Sequence, residues 1–185
     1  MALTKTPVCD FGKKAEDFKL KSIENKIISL NDVKGEKATL IMFICNHCPY
    51  VKAIIRDLVL DCNELKNYGI NSVAIMSNDT KNYPEDSFEN MIKFSKKNNF
   101  GEINYLIDET QKIAKSYGAV CTPDFFGYNK DLKLQYRGRY RELKDLKPIS
   151  NRDSDLKEAM KMISHSQKGP KLQIPSMGCN IKWYN

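Results

Sequence analysis

Three stretches of the chain have the hydrophobic pattern of β-strands. Residues 38–44, ATLIMFI, form a continuous apolar run, which predicts a central strand buried on both faces. Residues 70–76, INSVAIM, predict a second buried strand. Between positions 18 and 30, FKLKSIENKIISL alternates apolar and polar residues around Glu24-Asn25, which predicts an N-terminal β-hairpin.

Other stretches repeat apolar residues at helical spacing. One such stripe starts at Val51 and predicts a long amphipathic helix directly after the first buried strand. Pro84 begins a second helical segment, Gly118 ends a short third one, and a fourth starts near Asp153. A predicted hairpin at 124–138 precedes this last helix. The order of elements predicts an α/β fold with a central mixed β-sheet and helices on both faces.

The length of the chain fits one domain, which we predict to span all of residues 1–185. Residues 1–14 precede the predicted hairpin, and we expect them to form a flexible N-terminus. Residues 166–185 are too few for a domain of their own, but they include Trp183 and Tyr184. These aromatic side chains favour a C-terminal tail that packs back on the domain.

The charge pattern argues against a nucleic-acid partner. The net charge is +7, but the 30 lysines and arginines are scattered among 23 acidic residues, which indicates a solvated basic surface. No apolar run approaches the ~18 residues that a membrane-spanning helix requires. The first residues also lack the pattern of a secretory leader. We therefore expect a cytoplasmic protein with neither a nucleic-acid nor a membrane partner.

The sequence FICNHCPYV, residues 43–51, is the strongest candidate for chemistry. The six cysteines are too few for a disulfide scaffold in a chain of this length, so a CxxC pair indicates redox catalysis or metal binding. At the junction of strand and helix, Cys45 would lie near backbone N–H groups that stabilise a thiolate. We predict that Cys45 is solvent-accessible and attacks a disulfide. Cys48 would then resolve the mixed disulfide and close a Cys45–Cys48 bridge.

His47 lies between the two cysteines in sequence. A partly protonated imidazole beside Cys45 would favour the thiolate over the disulfide, which would make the pair more oxidising. The alternative is that His47 faces solvent and has no electronic role. This chemistry needs only protein thiols, so we predict neither a cofactor nor a metal.

Four segments carry a resemblance to a known family. Together they are similar to the thioredoxin-like proteins of the alkyl hydroperoxide reductase and thiol-specific antioxidant (redoxin) superfamily, in particular to its peroxiredoxin-like branch that carries a CxxC motif. The resemblance extends from about Ala15 to Trp183 and implies a thioredoxin-like fold with an N-terminal β-hairpin extension. The segments are FICNHCP, SNDTKNYPEDSFENM, DETQKIAKSYGAVCTPDFF and PSMGCNIKW.

The resemblance also gives a role to Thr122 and Pro123. Thioredoxin-fold proteins place a cis-proline opposite the CxxC motif, and the resemblance implies that Pro123 is this proline. Because proline lacks an N–H, the Thr122 backbone would stay free to pair with an extended substrate peptide. We therefore predict that Thr122 and Pro123 form a substrate groove. The alternative is a simple turn.

A thiol peroxidase with Cys48 as the peroxidatic cysteine is the second functional hypothesis. Typical peroxiredoxins carry PxxxTxxC, and aligning that cysteine with Cys48 puts Cys45 at the threonine position and Ile41 at the proline position. A peroxide held without its polar partners loses transition-state stabilisation, which favours the oxidoreductase hypothesis. Arg137 and Arg139 are candidates for the guanidinium that a peroxidase needs.

Two non-enzymatic hypotheses complete the set. Cys45 and Cys48 could bind structural zinc together with His47 and either Cys121 or Cys179, but zinc sites usually bring a second closely spaced Cys/His pair, which this chain lacks. A redox-inert adaptor that uses the basic surface is the other hypothesis.

Cys179, in the tail, is a candidate third redox thiol that exchanges with the CxxC pair. Cys62 falls in the apolar helical stripe and is expected to be a buried small hydrophobe, whereas Cys9 belongs to the flexible terminus. The expected substrates are protein disulfides, low-molecular-weight disulfides and peroxides, with a thiol donor as reductant. We expect a monomeric or weakly associating protein.

Overall fold

The structure is a computed structural model that describes residues 3–6, 10–150 and 152–184. Cys9 lies outside the described residues. The strands are β1 (Leu3–Lys5), β2 (Lys19–Ser22), β3 (Ile27–Ser29), β4 (Ala38–Phe43), β5 (Ile70–Met76), β6 (Asn104–Ile107), β7 (Cys121–Thr122), β8 (Asp124–Asn129), β9 (Leu134–Tyr136), β10 (Leu143–Lys144), β11 (Lys147–Pro148) and β12 (Met177–Asn180). The α-helices are α1 (Leu30–Val33), α2 (Pro49–Leu65), α3 (Phe88–Lys97), α4 (Lys112–Tyr117) and α5 (Asp155–Ser166), and Lys66–Tyr68 and Pro84–Asp86 form 3₁₀ turns.

A seven-stranded mixed sheet forms the centre of the protein, with strand order β3-β2-β6-β5-β4-β8-β9. The neighbours β4, β5 and β6 run parallel, and the other pairs are antiparallel. β4 lies between β5 and β8, so both its edges are hydrogen-bonded. This arrangement confirms the predicted mixed sheet.

The continuous apolar run of β4 is explained by the helices that cover both faces of the sheet. Successive strand residues point to opposite faces. Leu40 and Met42 belong to the hydrophobic cluster that also contains the buried faces of α2, α3 and α5. Ile41 and Phe43 belong to a second cluster, shared with α1 and α4. Helices on both faces are therefore confirmed, and Cys62 in α2 is buried as expected.

The predicted N-terminal hairpin is also confirmed. β2 and β3 pair in antiparallel fashion, and β2 joins the sheet through β6. Asn25 in the connecting turn has φ 61°, a left-handed conformation that asparagine tolerates better than most residues. The hairpin extends the sheet on the side away from β8.

Both ends of the described chain meet in a separate three-stranded sheet, in which β12 lies between β1 and β7. Leu3 pairs with Cys179, and Lys5 pairs with Met177. The tail supplies partners for the backbone groups of Leu3–Lys5, and the flexible terminus over residues 1–14 stays a prediction. This sheet places the tail beside the CxxC motif.

None of the helices in the described ranges combines the length and the apolar character that crossing a membrane requires.

Candidate active site

The loop between β4 and α2 carries both cysteines of the CxxC pair. α2 begins at Pro49, and Cys48 is its N-cap residue. Proline is tolerated at the first helical position because the N–H that it lacks has no intrahelical partner there. Its ring also disfavours helical geometry at the preceding residue, and Cys48 has extended angles of φ −61° and ψ 124°. The structure therefore places Cys48, rather than Cys45, at the start of the helix.

Four donors converge on the sulfur of Cys48. The Cys45 thiol makes the largest contribution, followed by the Cys179 thiol and by the backbone N–H groups of Val51 and Cys179. Burial opposes ionisation, but these hydrogen bonds outweigh it and lower the pKa of Cys48 to about 5. When protonated, Cys48 can instead donate to the Thr122 carbonyl oxygen, 3.1 Å from its sulfur. The arrangement favours a thiolate at Cys48 over one at Cys45.

Cys45 has the opposite environment. Its hydrogen bond to Cys48 is the largest cause of a raised pKa, and burial and the negative charge of Asp86 raise it further. Its sulfur lies 3.2 Å from the hydroxyl oxygen of Thr122, and the residue is 0% exposed. The prediction that Cys45 is solvent-accessible and has a lowered pKa is therefore wrong. Cys48 is also 0% exposed, so both sulfurs lie below the surface.

The Thr122–Pro123 peptide bond is cis, as predicted, and it lies directly against the two thiols. The expectation that the Thr122 backbone is free for a substrate peptide is wrong in this structure. Thr122 is the antiparallel partner of Cys179 in β12, so the tail already occupies this edge. The role of Thr122 and Pro123 as a substrate groove stays a prediction.

The tail brings Cys179 into contact with the CxxC pair. The sulfurs of Cys48 and Cys179 lie 3.1 Å apart. Cys121, by contrast, directs its thiol to the Pro123 carbonyl oxygen at 3.7 Å. The described cysteines are all free thiols. Three of them, Cys45, Cys48 and Cys179, therefore form one connected cluster.

His47 interacts with a buried acid that sequence reasoning missed. Its Nδ1 lies 2.7 Å from Oδ2 of Asp86, and its ring stacks on Tyr83 with 5.8 Å between centroids. The hydrogen bond to Asp86 is the main reason why the pKa of His47 is raised, and the charge of Cys48 adds to the effect. A protonated His47 and a Cys48 thiolate thus attract each other. The tuning role of His47 stays a prediction.

Asp86 also fixes the conformation of the CxxC loop. Its Oδ1 accepts hydrogen bonds from the backbone N–H groups of Asn46, at 2.8 Å, and His47, at 3.3 Å. Its Oδ2 accepts a further bond from the Asn78 side chain at 2.8 Å. Tyr105 donates to the Asn46 side chain from the other side. These partners are distant in sequence, and the only local signal is an acid within a segment that carries the family resemblance.

We expect Asp86→Asn to lower the pKa of His47 toward its ordinary value of 6.5, because the substitution removes the charge that stabilises the imidazolium. A raised pKa in the folded state stabilises the protein below pH 6.5, and this contribution is lost as the pH rises through the folded pKa. The pH dependence of stability should therefore become weaker in the variant. NMR titration of His47 and urea unfolding at several pH values measure the two effects.

Glu85→Gln is the matched control, because Glu85 is exposed and its charge makes only a small contribution to the pKa of His47. An unchanged His47 titration in Asp86→Asn would contradict the proposed charge coupling.

Ligand atoms of Cys45, His47 and Asp86 lie within 4.8 Å of one another, which is close enough to consider a metal ion. However, both oxygens of Asp86 already accept hydrogen bonds from the loop, and the Cys45 thiol is engaged with Cys48 and has a raised pKa. A metal would have to displace these bonds. The geometry therefore favours a hydrogen-bonded network of thiols over a zinc site.

A cavity of about 490 Å³ lies next to the cis-proline. Its lining combines apolar and aromatic side chains, among them Tyr50 and Met177, with the cations Arg139 and Arg141. Tyr50 follows Cys48 by two residues, and Met177 precedes Cys179 by two. The lining of the cavity thus includes close sequence neighbours of Cys48 and Cys179.

Residues 11–137 match the AhpC/TSA family. The chain belongs to this family. The match confirms the family resemblance, and three of the four motifs fall within the matched residues, whereas PSMGCNIKW lies beyond them. No curated protein sequence matches the chain.

Solved structures are similar to this chain in fold. An uncharacterized conserved protein from Geobacillus kaustophilus is 40% identical to this chain, with a TM-score of 0.89. The alignment covers 100% of this chain and 97% of that protein. A hypothetical protein from Sinorhizobium meliloti is 34% identical, with 98% of each chain covered and a TM-score of 0.90. The thioredoxin domain of a thiol-disulfide oxidoreductase from Bacteroides vulgatus is 19% identical, with a TM-score of 0.59. The alignment covers 70% of this chain and 89% of that domain. The protein therefore has the predicted thioredoxin-like fold.

Proposed function

We propose that this protein is a thiol-disulfide oxidoreductase in which Cys48 is the attacking thiolate and Cys45 is a resolving thiol. The proposal rests on the hydrogen-bond donors around Cys48 at the start of α2. A thiolate is the nucleophilic form of cysteine, and a helix N-terminus with several donors stabilises it. This assignment reverses the roles that the sequence pattern suggested.

The reaction follows from the neighbouring sulfurs. The Cys48 thiolate attacks one sulfur of a substrate disulfide, forms a mixed disulfide and releases the other half as a thiolate, which takes up a proton. The negative charge on Cys48 is then gone, so the two effects of Cys48 that raise the pKa of Cys45 disappear. Cys45 loses its proton and attacks the Cys48 sulfur. The Cys45–Cys48 disulfide forms, the second half of the substrate leaves as a thiol, and an external thiol donor restores the dithiol.

The substrate is a disulfide that reaches Cys48 through the cavity beside Pro123. The apolar and aromatic lining suits a polypeptide or another organic disulfide, and Arg141 suits one that carries a carboxylate. Structural neighbours at 19–21% identity that are described as a thiol-disulfide oxidoreductase and a putative thiol:disulfide interchange protein share the fold, which agrees with this choice. We keep the cytoplasm as the proposed location, where a thiol donor is available.

Reduction of peroxides by Cys48 is the second candidate function. The observation that favours it is the low pKa of Cys48 combined with its burial, because a small peroxide can reach a buried thiolate more easily than a protein can. Against it, Cys45 occupies the position of the peroxide-binding threonine. Arg137 donates to Asp124 and to the Gly118 carbonyl, and Arg139 donates to Asp155 and Glu142. Both guanidinium groups thus bind other partners.

Titration of the thiolate absorbance tests the lowered pKa of Cys48. We expect one thiol to ionise with a midpoint near pH 5 in the wild-type protein, and this transition should disappear in Cys48→Ser. In Cys45→Ala the midpoint should move upward, because the largest stabilising hydrogen bond is lost. Cys62→Ala is the control and should leave the midpoint unchanged, since Cys62 lies in the apolar stripe of α2. A transition near pH 5 that survives in Cys48→Ser would contradict the assignment.

A comparison of substrates separates the two candidate functions. Wild-type protein is assayed with a protein disulfide, oxidised glutathione and hydrogen peroxide at equal concentrations and with one thiol donor. The oxidoreductase proposal predicts that at least one disulfide has a higher kcat/KM than the peroxide. A higher value for hydrogen peroxide would instead support the peroxidase.

A further inference from the structure

The C-terminal strand β12 occupies the position that a substrate peptide would take beside the cis-proline. Cys179 pairs with Thr122, and Asn180 pairs with Cys121. On either side of this pairing, the Ser176 hydroxyl donates to the Pro123 carbonyl at 2.7 Å, and the Ile181 N–H donates to the Val120 carbonyl at 3.1 Å. The tail is therefore held along the whole of this edge.

Gly178 allows the tail to lie this close. A Cβ atom at position 178 would come within 2.1 Å of the Thr122 carbonyl oxygen and 3.1 Å of Cδ of Pro123. Backbone atoms cannot yield to such a contact, so any larger residue would push β12 outward. With glycine in place, the next residue, Cys179, directs its thiol at Cys48.

We propose that Cys179 is a second resolving thiol and that Cys48 forms a disulfide with it as an alternative to the bond with Cys45. The inference rests on the proposed role of Cys48 as the attacking thiolate. The two sulfurs are 3.1 Å apart, and a disulfide has an S–S length of about 2.05 Å, so closure requires a movement of about 1 Å. The tail thus acts as a built-in substrate strand that carries its own cysteine.

Cys179 resolves the mixed disulfide by thiol-disulfide exchange. After the Cys48 thiolate has attacked a substrate disulfide, Cys48 is joined to one half of the substrate, and the other half has left as a thiol. Cys179 loses its proton and attacks the Cys48 sulfur, which breaks the bond to the substrate. The second half leaves and takes up a proton. Two protein thiols have been oxidised to the Cys48–Cys179 disulfide, and one substrate disulfide has been reduced to two thiols.

The charges around the two resolving thiols favour Cys179 once the mixed disulfide has formed. Burial, the hydrogen bond to Cys48 and the charge of Cys48 raise the pKa of Cys179 to about 12, and the last two causes vanish when Cys48 has reacted. The positive charge of Lys182 then remains and lowers the pKa of Cys179. Cys45 instead retains Asp86, whose negative charge raises its pKa. The Thr122 hydrogen bond lowers the pKa of Cys45, but the charge of Lys182 favours a thiolate at Cys179 at that step.

Tryptic peptide mapping distinguishes the two disulfides. Cleavage after lysine and arginine leaves Cys45 and Cys48 together in residues 38–52, whereas Cys179 lies in residues 172–182. A Cys45–Cys48 bond stays within one peptide, and a Cys48–Cys179 bond links the two. Reduced protein is treated with one equivalent of oxidised glutathione, and the remaining thiols are alkylated before digestion and mass spectrometry.

We expect the linked peptides in wild type, in the control Cys62→Ala and, as the main product, in Cys45→Ser. In the double variant Cys45→Ser, Cys179→Ser both resolving thiols are absent, and the glutathione adduct on Cys48 should persist. The inference is overturned if Cys45→Ser also retains the adduct while Cys179 is fully alkylated. The proposed function fails in a different way, namely if Cys48 forms neither an adduct nor a disulfide in any of these proteins.

Gly178→Ala provides an independent check that keeps all three thiols. The added methyl group should move β12 away and reduce the yield of linked peptides at least about fivefold, while the Cys45–Cys48 bond still forms. An unchanged yield of linked peptides would contradict the geometric argument.

Discussion

Replacing Cys48 with serine is expected to reduce the kcat/KM for a disulfide substrate by about 1,000-fold or more, because a hydroxyl cannot replace the thiolate nucleophile. Serine has nearly the same size, so the loop held by Asp86 should keep its conformation. Steady-state kinetics with a protein disulfide and with oxidised glutathione measure the effect. Cys62→Ala is the control for a buried cysteine outside the site and should retain activity.

Cys45→Ser should reduce kcat/KM less than Cys48→Ser does, and it should affect a later step of the reaction. The first attack by Cys48 remains possible, although its rate falls because the largest hydrogen bond that stabilises the thiolate is weakened. A stoichiometric release of the first substrate thiol should therefore persist in Cys45→Ser and vanish in Cys48→Ser. The reverse result, with release lost only in Cys45→Ser, would restore the assignment made from sequence and refute the one based on structure.

Arg137→Met is expected to reduce the stability of the protein strongly. Asp124 follows the cis-proline at the start of β8, is fully buried and pairs with Arg137, whose Nη2 lies 2.9 Å from Oδ2 of Asp124. Arg137→Met removes the partner and leaves the carboxylate buried without its cation, which is expected to cost about 3–5 kcal/mol of unfolding free energy. Urea unfolding at pH 7 measures the loss. Arg152→Met, at an exposed position, is the control and should change stability by less than about 0.5 kcal/mol.

The same pair has a characteristic pH dependence. Burial raises the pKa of Asp124 to about 6 even though Arg137 lowers it, so the folded state binds the proton more tightly than the unfolded state, where the value is 3.8. The Asp124 contribution to stability is therefore greatest at low pH and falls as the pH rises through about 6. In Arg137→Met the loss of stability should be larger at pH 7 than at pH 4, where a protonated Asp124 needs no cation. A pH-independent loss would indicate that packing, rather than charge, dominates.

The elements that sequence predicted well are those whose pattern is local and strong. The apolar run of β4 and the helical stripe of α2 each bury a continuous surface, which removes these side chains from water. The hairpin and the cis-proline were also anticipated, the first from alternation and the second through the family resemblance. The short strands β1, β7 and β12 have no such pattern, because their pairing depends on residues far apart in the chain.

The roles of the two thiols could not be read from the spacing CxxC alone. The spacing places two sulfurs near each other, but their pKa values depend on where α2 begins and on donors from Val51 and Cys179. The local signal was Pro49, which disfavours helical geometry at Cys48 and so makes Cys48 the N-cap. The contribution of Asp86 to the loop required three-dimensional proximity across 39 residues. The sequence therefore predicts the pair of thiols, whereas the proposed order in which they react depends on the three-dimensional structure.

The pairing of Leu3 with Cys179 has a practical consequence for experiments. An affinity tag or fluorophore fused near either end of this sequence would be attached within a few residues of the sheet that holds the third thiol. Bulk added there would pull on β1 or β12 and alter the spacing of the sulfurs. Kinetic and redox measurements on untagged protein should therefore differ from those on fusions, and the fused forms should show less disulfide between Cys48 and Cys179.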